Sequence, residues 1–205
     1  MIKEEVDRLI EALNKNGFKT IYAETGKEAA KIIMDSISPE ETVGVGGSLT
    51  IRELGLVESL INRGNKVFHH WRKGMTSEEV LETLKNELSS DVFLTSSNAV
   101  TMDGKLVNRD MVGNRVSAMI FGPKRVFVVV GVNKIVKDVN EALERIKRVA
   151  PLNAKRIGAK TPCVESGYCV DCDSPDRICR VTTIIEKVPS RTEITVVLVN
   201  ESLGY

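Results

Sequence analysis

The chain has 205 residues, with 29 basic and 28 acidic side chains and a formal net charge of +1. That balance gives no electrostatic case for nucleic acid or an anionic membrane surface as partner, and no apolar run approaches the ~20 residues of a membrane span. Hydrophobic residues make up 42% of the chain, which fits a soluble globular domain able to bury its own core. The charged start Met1-Ile2-Lys3-Glu4-Glu5 shows no apolar signal segment, so the expected location is the cytoplasm, where disulfides are disfavoured.

Along the chain, helices and short strands alternate. Val6, Leu9, Ile10 and Leu13 recur at helical spacing over residues 3–16, and Asn16-Gly17 supplies the stop. Residues 18–23 read as a strand. Thr25 and Glu28 form a capping box for the next helix, which Pro39 ends. A short buried strand over residues 42–45 runs into Gly46-Gly47-Ser48-Leu49-Thr50. The pattern then predicts a helix over 50–63, a strand over 66–69, a helix over 77–88 and a strand over 91–95. Such alternation implies a largely parallel sheet with helices on both faces.

After Thr95 the pattern changes. Asp103-Gly104 between β-prone runs signals a hairpin. A helix is expected over 116–121, closed by Gly122-Pro123, and then a very apolar strand over 125–130 suited to the middle of a parallel sheet. Asp138 caps a helix ending at Val149 or Ala150, ahead of Pro151. Two strands, 181–186 and 193–199, close the chain. With no repeat and no low-complexity linker, residues 1–205 read as one α/β domain, and residues 161–180 as an excursion from it.

Three constellations carry chemistry. In the first, Gly44, Gly46 and Gly47 lead from a strand into a helix, with Ser48 and Thr50 beside them. Glycines let a ligand approach the backbone, and free N–H groups at a helix start favour an anion. The stretch lacks the Lys of a P-loop and does not match G-x-G-x-x-G. Its plainer reading is a tight turn with Ser48 or Thr50 as cap. In the second, Asn98, Asp110, Asn114 and Arg115 crowd polar groups around Gly104 and Gly113, and Arg115 suits bidentate recognition of a carboxylate or phosphate. The plainer reading is a polar surface excursion. Glu53 and Lys134 are the candidates for catalysis; Lys134 ends the apolar strand, where a side chain can face a ligand cleft. His69 and His70 are adjacent and point to opposite faces; one of them could reach that cleft.

The third constellation is Cys163, Cys169, Cys172 and Cys179, all four cysteines of the chain, spaced C-x5-C-x2-C-x6-C. A two-residue gap lets two thiolates face one centre, and the flanking pair can complete the set. The expectation is a metal site holding either a [4Fe–4S] cluster or zinc, in a turned loop rather than a helix. Structural thiols are the alternative. The chain lacks the repeated C-x2-C-x2-C run of ferredoxin-type domains.

Taken in order, Gly44-Val45-Gly46-Gly47-Ser48-Leu49-Thr50, Asn98-Ala99-Val100-Thr101-Met102-Asp103-Gly104, Gly113-Asn114-Arg115-Val116, Gly122-Pro123 and Gly131-Val132-Asn133-Lys134 resemble the lactate-utilisation, or LUD-domain (DUF162), family over nearly the whole chain. The resemblance implies a fold similar to the ribose-5-phosphate isomerase, glucosamine-6-phosphate deaminase and CoA-transferase group. It further implies a part in oxidising L-lactate to pyruvate beside iron–sulfur redox subunits. The cysteine segment marks a cysteine-bearing branch of that family. Expected partners are a small anionic molecule and such redox subunits, with homo-oligomer formation left open. Two rivals stand beside this reading: a sugar-phosphate isomerase or CoA-transferase-like enzyme on the same fold, and a non-catalytic metal-stabilised subunit.

Overall fold

The computed structural model describes residues 2–205. In chain order its first half comprises α1 (Lys3–Lys15), β1 (Lys19–Ala23), α2 (Gly26–Ser36), β2 (Val43–Val45), α3 (Leu49–Glu53), α4 (Leu56–Arg63), β3 (Val67–Phe68), α5 (Ser77–Leu88) and β4 (Val92–Thr95). The second half comprises β5 (Ala99–Thr101), β6 (Leu106–Asp110), α6 (Asn114–Ile120), β7 (Arg125–Gly131), β8 (Ile135–Val136), α7 (Val139–Arg156), α8 (Pro162–Ser166), β9 (Val181–Ile185) and β10 (Glu193–Val199). No helix among the described residues is long and apolar enough to cross a membrane.

A six-stranded sheet of order β1-β10-β7-β4-β2-β3 forms the centre, and all its pairings are parallel. Its strands are buried on both faces, so they read as apolar runs, and alternate residues serve two cores. From β7 and β10, Phe127, Val129, Val197 and Val199 pack with α2, α3 and α4. Val126, Val128, Val130, Ile194 and Val196 pack with α1 and α6. Central burial in this sheet is complete or nearly so, which at ~25 cal/mol per Å² is the main source of stability.

The alternating pattern anticipated one sheet; a second, four-stranded sheet of order β8-β5-β6-β9 lies beside it. The Asp103-Gly104 hairpin makes β5 and β6 antiparallel. Gly104 has φ 80°, and a Cβ there would lie 2.7 Å from the Ala12 carbonyl carbon, so the turn seats directly on α1. This sheet packs against the main core through Val100, Leu106 and Ile185 and against α7 through Ala99, Val107 and Val136. The last two strands are therefore split: β9 joins this sheet and β10 the central one.

Three further expectations are corrected. The helix over 50–63 is two helices, α3 and α4, because Gly55 takes the left-handed conformation (φ 63°) between them. The helix before the cysteines does not end at Pro151 but runs through it to Arg156. Proline there forfeits one backbone hydrogen bond; it is itself buried, and the added turn carries Asn153 and Arg156 to the site described below. The cysteine segment is not all loop: Pro162 opens the short α8, which carries Cys163, as suits a residue with no N–H to leave unpaired.

Candidate functional site

A cleft of about 430 Å³ opens at the carboxyl ends of β2, β4 and β7, where parallel α/β sheets place their ligands. The chain leaves β2 as the glycine loop, β4 as Ser96-Ser97-Asn98, and β7 as the turn that presents Lys134. The lining cations are Arg109, Arg115, Lys134 and Arg156, against Asp110 alone among the acids. The cleft thus favours an anion.

The glycine loop divides by role. Gly44 is required by packing: a Cβ there would fall 2.6 Å from both the Glu87 carbonyl oxygen and Ser90 Oγ. Gly46 lies against Phe93 and Arg115. Only Gly47, Ser48, Leu49 and Thr50 line the cleft. Ser48 accepts from the Ile51 N–H at 3.3 Å as the cap of α3, so the plain reading holds for its oxygen while its place in the lining keeps the other open. Thr50 Oγ1 accepts from Lys134 Nζ at 2.7 Å.

Lys134 is the unusual cation. It is only 5% exposed, and Nζ donates to Thr50 Oγ1 and, at 3.0 Å, to Ser96 Oγ. An ammonium carries three donors, and among the described residues no carboxylate lies within ion-pair distance. Burial, reinforced by Arg145 and Arg115 and opposed by Glu53, lowers its pKa to about 7. Glu53, the other catalytic candidate, lies outside the lining. Its carboxylate accepts from the Gly204 N–H at 2.7 Å, beneath the terminal segment whose Tyr205 reaches the cleft.

The Asn98–Arg115 run does return to the glycine loop, but its charges are closed on themselves. Arg115 Nε donates to Asp110 Oδ1 at 3.0 Å, one terminal nitrogen to Ser96 O and Asn108 Oδ1, and the other to Asn98 Oδ1 and Asp110 Oδ1. All five guanidinium donors are thereby taken. Asp110 Oδ2 accepts from the Val116 N–H at 3.1 Å, and Asn98 Oδ1 from the Arg109 N–H at 2.9 Å. Asn98, Asp110, Asn114 and Arg115 all line the cleft; Arg115 has no donor free to clamp a ligand in this arrangement.

Two side chains that sequence reasoning did not assign, Glu87 and Arg156, join the site. Glu87, 1% exposed, holds His70 Nδ1 at 2.7 Å through Oε1 and accepts from Asn114 Nδ2 at 3.3 Å through Oε2. Burial pushes the Glu87 carboxyl above the usual range, opposed by the His70 and Asn114 hydrogen bonds. A carboxylate on Nδ1 leaves Nε2 as the free acceptor, and Nε2 lies 3.4 Å from where a Cβ on Gly47 would sit. Glu87 had a signal: it follows Val80, Thr83 and Leu84 on the inward face of α5. Arg156 donates to Gly47 O and Asn153 Oδ1 at 3.4 Å, and its buried Nε has no partner. It was hidden because Pro151 reads as a helix end.

The cysteine segment reaches the cleft. Cys179 and Ile178 line it, and the Arg180 N–H binds Asp110 O at 3.0 Å. The thiols are free of disulfides. Among the described residues no three His, Cys, Asp or Glu side chains are arranged to hold a metal ion.

The LUD domain family model matches residues 6–199. No curated protein matches the chain. Among solved structures, a DUF162 family protein from Deinococcus radiodurans matches with a TM-score of 0.57 at 15% identity, covering 96% of this chain and 97% of that one. At that identity the likeness speaks for the fold, which is the α/β architecture the sequence implied. With the family model spanning nearly every element from α1 to β10, the chain belongs to the LUD domain family, which is associated with lactate utilisation.

Proposed function

We propose that the cleft binds a small carboxylate of the 2-hydroxy acid class, such as L-lactate, and supports its oxidation to the 2-oxo acid with an iron–sulfur protein as electron acceptor. The observation that carries this reading is Lys134: a buried ammonium at the cleft floor, held by two hydroxyls and by no carboxylate. An anion at this position removes the cost of burying that charge alone. Arg156 and the Gly47–Thr50 loop complete the anion's surroundings, and His70 Nε2 lies beside Gly47 of the same loop. Conversion of the alcohol to the ketone releases two protons and two electrons. In this reading His70 takes the hydroxyl proton, with Glu87 stabilising the imidazolium and fixing its tautomer; the Cα hydrogen leaves as a proton to water, and its bonding pair passes as two single electrons to the iron–sulfur partner.

The volume favours a second reading. A three-carbon acid fills only a fraction of about 430 Å³, whereas a sugar phosphate or the end of a coenzyme A thioester would occupy far more. The same dyad can move a proton at a carbon beside a carbonyl, as an isomerase requires. Calorimetric titration with L-lactate, pyruvate, inorganic phosphate, a pentose phosphate and coenzyme A separates the two. Binding of the hydroxy or oxo acid, weakened roughly 10–150-fold by Lys134→Met, supports the first. Binding confined to phosphate-bearing compounds replaces it with the second. With an electron acceptor supplied, His70→Gln is expected to lower turnover by ~10²–10⁴-fold with little change in substrate affinity.

A further inference from the structure

The charges that line the cleft are unequal in number. Arg115 is matched by Asp110. Arg109, Lys134 and Arg156 line the same space, and among the described residues none of them has a carboxylate within ion-pair distance. The whole chain has a net charge of only +1, so positive charge is concentrated here. A monocarboxylate brings a single negative charge to these unpaired cations, and an unpaired charge away from water is costly.

Arg156 is the least satisfied of them after Lys134. It is half-buried. Among the described residues its hydrogen bonds come from one terminal nitrogen, which donates to Gly47 O and to Asn153 Oδ1, each at 3.4 Å. Both are long for a charged donor. Its Nε is buried with no partner. A guanidinium presents five donors in a planar fork; Arg115 fills all of its own with protein acceptors, whereas Arg156 does not. Burial pulls the Arg156 pKa below the ordinary arginine value, with Tyr205 opposing that pull and Arg52 adding to it. The fold holds the side chain in this position: α7 runs on through Pro151, and Asn153, one turn earlier on the same face, steadies the guanidinium. Arg109 differs, because its Nε donates to Thr182 Oγ1 in an exposed contact, where water and salt screen the charge.

The other two cations bracket the glycine loop. Arg156 binds Gly47 O, and Lys134 binds Thr50 Oγ1. Gly47 and Thr50 are three residues apart, so even a fully extended backbone would separate them by no more than about 11 Å. One small molecule with an anionic group at each end can meet both cations.

We infer that the cleft takes a dianion: a 2-hydroxy acid whose carboxylate lies at Lys134 and whose far end carries a second anionic group, carboxylate or phosphate, in the guanidinium fork of Arg156. The inference rests on the reading of Lys134 as the carboxylate site and adds a second anchor to it. Arg156 then sets specificity for the far end of the substrate.

The test is calorimetric titration of the full chain at pH 6, below the Lys134 pKa of about 7, with L-lactate, 2-hydroxysuccinate, 2-hydroxyglutarate and 3-phosphoglycerate. Val80, Leu84, Ile146 and Val149 also line the cleft, so 2-hydroxy-4-methylpentanoate serves as the control with added bulk but a single charge. At least one of the doubly anionic acids is expected to bind roughly 10–150-fold more tightly than lactate, as one further charge-assisted contact provides, and the control should not match it. Arg156→Gln is expected to shrink that advantage to about twofold or less. Since the variant could also disturb α7, the salt dependence of the wild-type chain supplies an independent reading: binding of the dianion should weaken more steeply with sodium chloride than binding of lactate. Equal affinities for lactate and the dianions, equal salt dependence, a control that binds as tightly as the dianions, or an advantage that survives in Arg156→Gln overturns the inference and leaves the carboxylate reading of Lys134 standing. Binding of none of these acids overturns both.

Discussion

Two parts of the cleft lining, which meet at Ser96, carry buried or half-buried cations and treat them in opposite ways. On one, Arg115 meets Asp110 and fills every donor with protein acceptors. On the other, Lys134 meets two hydroxyls and no carboxylate, and Arg156 keeps a buried Nε with no partner. A buried charge with complete partners is part of the scaffold, because removing either member strands the other. A buried charge without them is held at a cost that only a function or a ligand explains. The density of polar residues along the Asn98–Arg115 run therefore marks the frame of the site, and the sparser set around Lys134 and Arg156 marks its chemistry.

The sharpest way to break this contrast is on the closed wall. Arg115→Ala would leave Asp110, Asn108 and Asn98 facing a void, with an unpaired buried carboxylate, at a cost of about 3–5 kcal/mol. Chemical denaturation should show it as a fall in midpoint without a change in slope. A variant of wild-type stability would mean that the network is looser than its geometry and would return Arg115 to the list of ligand-binding groups.

Lys134→Met tests the open wall, and its two readouts should move apart. Removing a charge-assisted hydrogen bond to the bound anion costs about 1.5–3 kcal/mol, or roughly 10–150-fold in affinity. Stability at pH 6 should instead hold or rise, because a buried unpaired ammonium has been removed. A parallel loss of affinity and stability would make Lys134 a structural residue like Arg115.

The pH dependence follows from the same lysine. Its folded pKa is about 7 against an ordinary 10.5, so between those values the unfolded chain binds more protons than the folded one. Stability should therefore climb as pH rises from about 7 toward 10.5, and the climb should vanish in Lys134→Met. Anion affinity has the opposite sign. It should be level below about pH 7 and fall by up to tenfold per unit above it, as the unliganded protein loses the charge that the anion meets. Titrations at pH 6, 7, 8 and 9 would settle both slopes.

How much of this the sequence made legible depends on the range over which each residue's role is set. The glycine loop, the hairpin and the parallel strands are local patterns, and they stand where the pattern put them. The division of labour within the loop is not local: Gly44 is explained by the Glu87 carbonyl, 43 residues away in the chain. Glu87 itself looked like one more charged helix residue, because burial depends on what packs over α5. Lys134 was legible as a strand-end residue, but its lack of a carboxylate partner exists only in three dimensions. Arg156 was lost to a sound rule about proline, which gave way because Pro151 is buried where α7 packs. The second sheet was missed because β5 and β8 are too short to show a period.

The smallest effect tests the residue whose two readings coincide. Ser48 Oγ caps α3 through the Ile51 N–H and also lines the cleft. As a cap alone, its loss in Ser48→Ala should cost about 0.5–2 kcal/mol of stability and leave anion affinity within a factor of two or so. Ser48→Asn should recover the stability, since asparagine caps as well as serine. As a ligand donor, Ser48→Ala should weaken binding by about tenfold, the value of one hydrogen bond of roughly 1.4 kcal/mol, and the larger asparagine should not restore it. The pair of variants therefore separates helix capping from ligand contact at one oxygen. Affinity recovered together with stability in Ser48→Asn would assign the residue to the scaffold, on the same side of the comparison as Arg115.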